Sequence, residues 1–209
     1  MHYGIFAGGE LHPGTAVTQV LSQFDKVIAA DSGAAIAISQ EIKPDIIIGD
    51  FDSIDNVTLT SLKNVKQVRF PSEKDATDTE LAVDFAIHHG ATKITILGGI
   101  AGDRIDHILA NIFLPEQYNV PIFFVDAGSV LWFSKGPEEK ITGIPGDLLS
   151  LIPLTKIEGI TTTGLKYVLK NEKLYVGKSR SVSNVFLKPN AIVRWTKGHM
   201  LIIHTLAKS

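Results

Sequence analysis

Along the first 125 residues, short apolar runs alternate with stretches of helical spacing. The runs cover residues 3–7, 27–30, 45–48, 65–70, 93–97 and 120–125. The clearest helical stretch between them is DATDTELAVDFAIHHG. There Leu81, Ala82, Phe85 and Ala86 form one apolar stripe, and Gly90 stands as a C-terminal stop. Apolar runs of this kind, buried on both faces and joined by helices, predict a mostly parallel sheet covered by helices on both faces.

Past residue 126 the pattern changes. Strand-like pieces become short and closely spaced: SVLWF, EKIT, DLLSLIPL, TKIEGIT, KYVLK, KLYVG, AIVRW and HMLIIHTL. Turn signals such as Lys135-Gly136-Pro137, Pro145-Gly146-Asp147 and Lys197-Gly198 separate them. No piece has the length or period of a helix, so an all-β sandwich or barrel is expected. Two domains are expected, residues 1–126 and 127–209, with the boundary near VDAGS. Trp132 and Trp195 fall in strand-like runs and read as core.

Composition narrows the possible functions. A net charge of −2 argues against a general nucleic-acid binder. The absence of cysteine removes disulfides and thiolate metal sites and fits a cytoplasmic protein. No apolar run approaches 18 residues, and the opening MHYGIFAGGE has no basic stretch leading into a long apolar one. Neither a membrane span nor a signal peptide is expected.

In open parallel sheets, ligands bind beyond the carboxyl ends of the strands. The residues following the runs are Gly8-Gly9-Glu10, Asp31-Ser32-Gly33, Gly49-Asp50-Phe51-Asp52-Ser53, Pro71-Ser72-Glu73-Lys74-Asp75 and Gly98 through Arg104. Nearly every strand therefore delivers acid or glycine to one rim. In extended chain Asp50 and Asp52 point the same way. Asp75 and Asp78, three apart at a helix start, share a face, and Thr77 with Glu80 has the spacing of a capping box. Carboxylates gathered this way repel unless a cation lies among them. Oxygen ligands without nearby histidine or cysteine favour Mg²⁺, whose shell phosphate oxygens commonly complete. The segment LGGIAGDR offers backbone N–H groups to phosphate, and Arg104 a charged clamp. It is neither a Walker motif nor a dinucleotide fingerprint. His107 reads as a helix residue hydrogen-bonded locally.

Five pieces together carry a resemblance: AADSGA at 29–34, PDIIIGDFDS at 44–53, EKDATDTELA at 73–82, GGIAGDRIDH at 98–107 and SVSN at 181–184. In this order and spacing the chain resembles the thiamine pyrophosphokinase family over nearly its full length. The resemblance implies an α/β domain followed by a β-sandwich. It implies transfer of the pyrophosphoryl group of ATP to the hydroxyethyl oxygen of thiamine, with Mg²⁺, giving thiamine diphosphate and AMP. It makes Asp50, Asp52 and Asp78 metal and catalytic residues with Asp75 beside them, and Arg104 catalytic. It assigns ATP to Asp31, Ser32, Gly33, Lys74, Gly98, Gly99, Arg104 and Asp106. It assigns thiamine to Thr77, Asp78, Ser181, Ser183, Asn184 and Phe186. It also implies a homodimer with the site at the subunit interface. Where bacterial members often carry glutamate after the Ser-Asn pair, this chain has Val185. Two alternatives stand beside this reading. One is a nucleotide or thiamine sensor without catalysis. The other is a Mg²⁺ phosphohydrolase, although Asp-x-Asp there follows the first strand, and here it follows the third.

Overall fold

A computed structural model describes residues 1–207; the last two positions of the expected second domain lie outside them. The described chain forms two compact units, Met1–Ala127 and the part beginning at Gly128.

The first unit contains β1 (His2–Phe6), β2 (Lys26–Ala30), β3 (Ile46–Gly49), β4 (Lys66–Arg69), β5 (Lys93–Leu97) and β6 (Ile122–Asp126). Its helices are α1 (Thr15–Leu21), α2 (Gly33–Ser39), α3 (Asn56–Ser61), α4 (Asp78–His88) and α5 (Ile105–Phe113). Within this unit the strands run in the order β6-β5-β1-β2-β3-β4, and every pair is parallel. β1, β2 and β5 are buried at every position but their first. That is why they read as unbroken apolar runs rather than alternating ones.

The strand order sets the place of the site. From β1 the chain proceeds outward through β2, β3 and β4, and it then returns to β5 on the other side of β1. The direction of winding therefore reverses between β1 and β5. Loops leaving the carboxyl ends of these two strands diverge and leave a crevice. Gly33 keeps the adjacent helix close. A Cβ there would lie 1.9 Å from the Phe6 carbonyl oxygen, so only glycine lets α2 pack this tightly on β1.

The second unit is a sandwich of two antiparallel sheets. One has the order β12-β9-β14-β7, built from β7 (Ser129–Ser134), β9 (Leu148–Pro153), β12 (Asn184–Val185) and β14 (Met200–Thr205). The other, β11-β10-β13-β8, uses β8 (Glu138–Thr142), β10 (Ile157–Thr163), β11 (Glu172–Leu174) and β13 (Asn190–Arg194). β9 and β13 alternate buried and open positions, as expected of sheets with one wet face. The inward residues of both sheets, among them Leu149, Leu151, Ile160, Val193 and Ile202, share one core. Trp195 lies in that core and Trp132 packs on it. The expected strand KYVLK is absent. Its backbone donors go elsewhere: Tyr167 N–H to the Asn184 side chain, Leu169 N–H to the Thr162 hydroxyl and Lys166 N–H to the Val185 carbonyl. No ladder forms, although the pattern of side chains suits one.

Candidate active site

The crevice at the β1/β5 switch is a cavity of about 480 Å³. Glycines line one side: Gly8 and Gly9 after β1, and Gly98, Gly99 and Gly102 after β5. Gly98 has φ +70°, and a Cβ there would press within 2.6 Å of the Ala7 carbonyl. Asn111, buried on α5, donates to the Gly99 carbonyl at 2.8 Å and so holds this turn from beneath. A polar residue within the otherwise apolar ILANIF half of the helix is the sequence sign of it.

Carboxylates line the same cavity. Oxygen atoms of Asp31, Asp50 and Asp52 approach within 4.8 Å of one another. Asp78 lines the same cavity with Thr77 and Thr79. The DFD segment does not reach this arrangement by strand alternation. β3 ends at Gly49, and Phe51 adopts φ +69° with its ring buried among Ile47, Ile54 and Leu62. The anchored ring turns the chain, and Asp52 N–H donates to Asp50 at 3.1 Å. The two carboxylates converge because Phe51 is buried between them in sequence. Asp31 also has a left-handed backbone, φ 47°. Its Oδ1 is buried without a hydrogen-bond partner.

The electrostatics differ from one carboxylate to the next. Burial pushes the Asp31 carboxyl up, with the Asp78 and Asp50 charges adding to the rise. N–H of Ser32 and the Ser53 hydroxyl oppose it. Asp50 is held below its ordinary value, first by the Asp52 N–H and then by the Ser72 hydroxyl. A buried, unpartnered carboxylate oxygen beside two more carboxylates is unfavourable unless a cation completes it. The donor set is all oxygen, which suits Mg²⁺.

The expected residues separate accordingly. Ser32, Thr77, Gly98, Gly99 and Arg104 line the cavity with the four aspartates Asp31, Asp50, Asp52 and Asp78. Lys74 touches Asp78 at 2.7 Å and Asp50 at 3.9 Å. Gly33 serves packing and is not part of the lining. Asp106 holds Arg104 in a two-pronged pair at 2.9 and 2.7 Å, both exposed, and the guanidinium keeps its carboxyl well below the usual range. Asp75 is exposed and precedes the helix rather than sharing its face. Thr77 is the N-cap, accepting from Glu80 N–H at 3.2 Å. His107 lies on α5, as expected of a helix residue, and also lines the cavity.

The thiamine-side set lies in the sandwich. Phe186 is a correction: it is fully buried in the core, its ring 5.1 Å from His204, with no face open to a ligand. Ser181 is buried and donates to the Leu151 carbonyl. Asn184 accepts from Tyr167 N–H and donates to the Tyr167 carbonyl, fixing the loop that replaces KYVLK. Ser183 is exposed with φ 56°.

This fold and the chemistry of its cavity define a class: a phosphotransferase-type enzyme built as an α/β unit with a carboxylate- and glycine-lined crevice, followed by a β-sandwich. Residues 17–124 match the thiamin pyrophosphokinase catalytic domain, and residues 138–200 match the thiamin pyrophosphokinase vitamin B1 binding domain. The chain belongs to the thiamin pyrophosphokinase family. It is 28% identical over 208 residues to thiamine pyrophosphokinase of Bacillus subtilis (strain 168), covering 96% of this chain and 97% of that one. It is 31% identical over 169 residues to thiamin pyrophosphokinase 1 of Caenorhabditis elegans, 71% of this chain and 67% of that protein. The crystal structure of the Bacillus subtilis thiamine pyrophosphokinase superimposes with a TM-score of 0.86, covering 99% of each chain. That of Geobacillus thermodenitrificans thiamin pyrophosphokinase also gives 0.86, at 25% identity, covering 100% of this chain and 99% of the other.

Proposed function

We propose that this protein is a thiamine pyrophosphokinase, moving the pyrophosphoryl group of ATP onto the hydroxyethyl oxygen of thiamine and releasing AMP. The observation that carries the reading is the convergence of Asp31, Asp50 and Asp52 in the crevice that the glycine turns also line. Family membership supports it over the sensor and the phosphohydrolase.

Asp31, Asp50 and Asp52 would hold Mg²⁺, which when bound neutralises phosphate oxygens. The remaining work falls to the chain. The turns at Gly8-Gly9 and Gly98-Gly99 let phosphate oxygens approach the backbone. Ser32 adds a hydroxyl at the same rim. Arg104, oriented by Asp106, supplies a guanidinium to the transferring group. Asp78 and Thr77 face the acceptor hydroxyl, with Asp78 taking its proton as the new bond forms. Ser183 and the adjoining backbone of the sandwich serve thiamine recognition, while Ser181, Asn184 and Phe186 hold that segment in place.

The reading includes a cytoplasmic homodimer with the site at the subunit interface. On α5, Ile105, Leu109 and Phe113 recur every four positions and are all exposed, a stripe that a second subunit would cover. Among the described residues no helix is long and apolar enough to cross a membrane. The test is incubation with ATP, Mg²⁺ and thiamine, following products. AMP formed one-for-one with thiamine diphosphate is expected. ADP or inorganic phosphate in its place would overturn the reaction.

A further inference from the structure

Six carboxylates line the cavity, and four of them, Asp31, Asp50, Asp52 and Asp78, follow β2 and β3 or start α4; Glu10 and Asp103 are the other two. Two of the cations nearby are engaged elsewhere. Arg104 is paired with Asp106, and the Arg69 guanidinium lies 4.5 Å over the Phe51 ring. Lys74 is different. It stands on the loop between β4 and α4, its side chain is 14% exposed, and its ammonium contacts Asp78 at 2.7 Å and Asp50 at 3.9 Å. It does not reach Asp31 and Asp52 by any ion pair.

Asp50 is thus shared. It belongs to the trio that would seat a divalent cation and also to the pair held by Lys74. Two cations around one carboxylate repel, and at short range in a half-buried site that repulsion is not fully screened. Phosphate oxygens entering between them would relieve it.

We infer that Lys74 is a built-in counter-cation of the cavity, which weakens binding of a divalent cation alone and makes cation and nucleotide bind cooperatively. The inference rests on the proposed metal seat and deepens it. In the empty protein Lys74 offsets part of the carboxylate charge and keeps Asp78 in place. When a cation arrives with its nucleotide, the phosphates take up the lysine's charge. By reciprocity, whatever factor the nucleotide contributes to cation affinity, the cation contributes to nucleotide affinity.

The test is calorimetric titration of the full chain with Mn²⁺ alone, and again with the α,β-methylene analogue of ATP present. Wild type, Lys74→Met, Lys74→Gln, Lys74→Arg and Asp52→Asn are compared, each checked for thermal stability. Lys74→Met and Lys74→Gln should bind Mn²⁺ alone about tenfold more tightly than wild type, with a smaller enhancement by the analogue. Lys74→Arg should behave as wild type. A lysine that merely props up the loop predicts weaker Mn²⁺ binding on its removal, not tighter. If Asp52→Asn loses Mn²⁺ while neither neutral variant gains affinity, the role of Lys74 falls and the metal seat stands. If Asp52→Asn binds Mn²⁺ as wild type does, the metal seat falls and this inference with it.

Discussion

Two aspartates, one in each unit, show how differently the same group is used. Asp147 in the sandwich is 1% exposed. It accepts from Ile144 N–H at 3.0 Å, Ala207 N–H at 2.8 Å and the His204 ring at 2.7 Å. Burial alone would raise its carboxyl, but those donors and His204 outweigh it and hold it below its ordinary value. Asp31 in the α/β unit is pushed the other way, with one oxygen buried and unpartnered. The sandwich satisfies its buried charge from within, so the charge serves the fold. The α/β unit leaves its charge incomplete, so stability is given up at a place where a ligand can restore it. The net charges follow the same division. Residues 1–127 carry 17 Asp and Glu against eight Lys and Arg, a formal −9, while residues 128–209 carry five against twelve, a formal +7.

The sharpest way to break this comparison is to remove one carboxylate from each side. Asp52→Asn should lower kcat/KM by about 10³-fold and leave the melting temperature nearly unchanged, because Asp52 is exposed and anchors no core. Retention of near-normal activity would remove Asp52 from the proposed metal seat. Asp147→Asn should do the reverse. It breaks a buried, three-donor acceptor and should cost about 3 kcal/mol of stability, seen in urea unfolding. Its stabilising effect is present above the ordinary carboxylate range and is lost as pH falls through its lowered value. Wild type and variant should therefore converge in stability at strongly acid pH. A variant as stable as wild type at pH 7 would mean that the loop does not depend on this group.

The sequence already carries much of this contrast. Strands buried on both faces are apolar at nearly every position after the first, so the parallel sheet is legible without knowing the strand order. The acidic rim is legible too, since carboxylates following several strands must meet if the sheet is parallel. The membership of the trio is less so. Asp31 has no acidic neighbour within AADSGA, and its approach to Asp50 and Asp52 depends on β2 lying beside β3. Asp75 looked equivalent to Asp78 because three residues span a helical face. Thr77 starts the helix two residues later and leaves Asp75 outside. In the sandwich, KYVLK has strand composition, but its N–H groups are claimed by Asn184 and Thr162, which no local pattern displays. The division of charge between the units is hidden in a net of −2.

Phe186 sharpens the comparison from the sandwich side. A motif aromatic next to a thiamine segment suggests stacking on the ligand. Burial in the core suggests a packing role instead. Phe186→Leu should cost about 1–1.5 kcal/mol and change the KM for thiamine little more than the KM for ATP. A large, selective rise in the thiamine KM with unchanged stability would put the ring against the substrate.

The smallest expected effect is the most direct test of the division. Asp31→Asn keeps an oxygen that can accept from Ser32 N–H, and asparagine tolerates the left-handed backbone at φ 47°. It removes only the charge. For an acid whose folded-state value is raised, the ionised form costs stability. That cost is absent when the group is protonated in both states and complete above the raised value. Asp31→Asn should therefore raise the melting temperature of the unliganded protein by about 2–4 °C at pH 7, with the gain shrinking as pH falls toward about 4. With Mg²⁺ and nucleotide present the order should invert, because wild type gains a ligand that the variant holds poorly. A variant no more stable than wild type at any pH would mean that the unpartnered oxygen is not costly. The incompleteness of the α/β unit would then lose its energetic meaning.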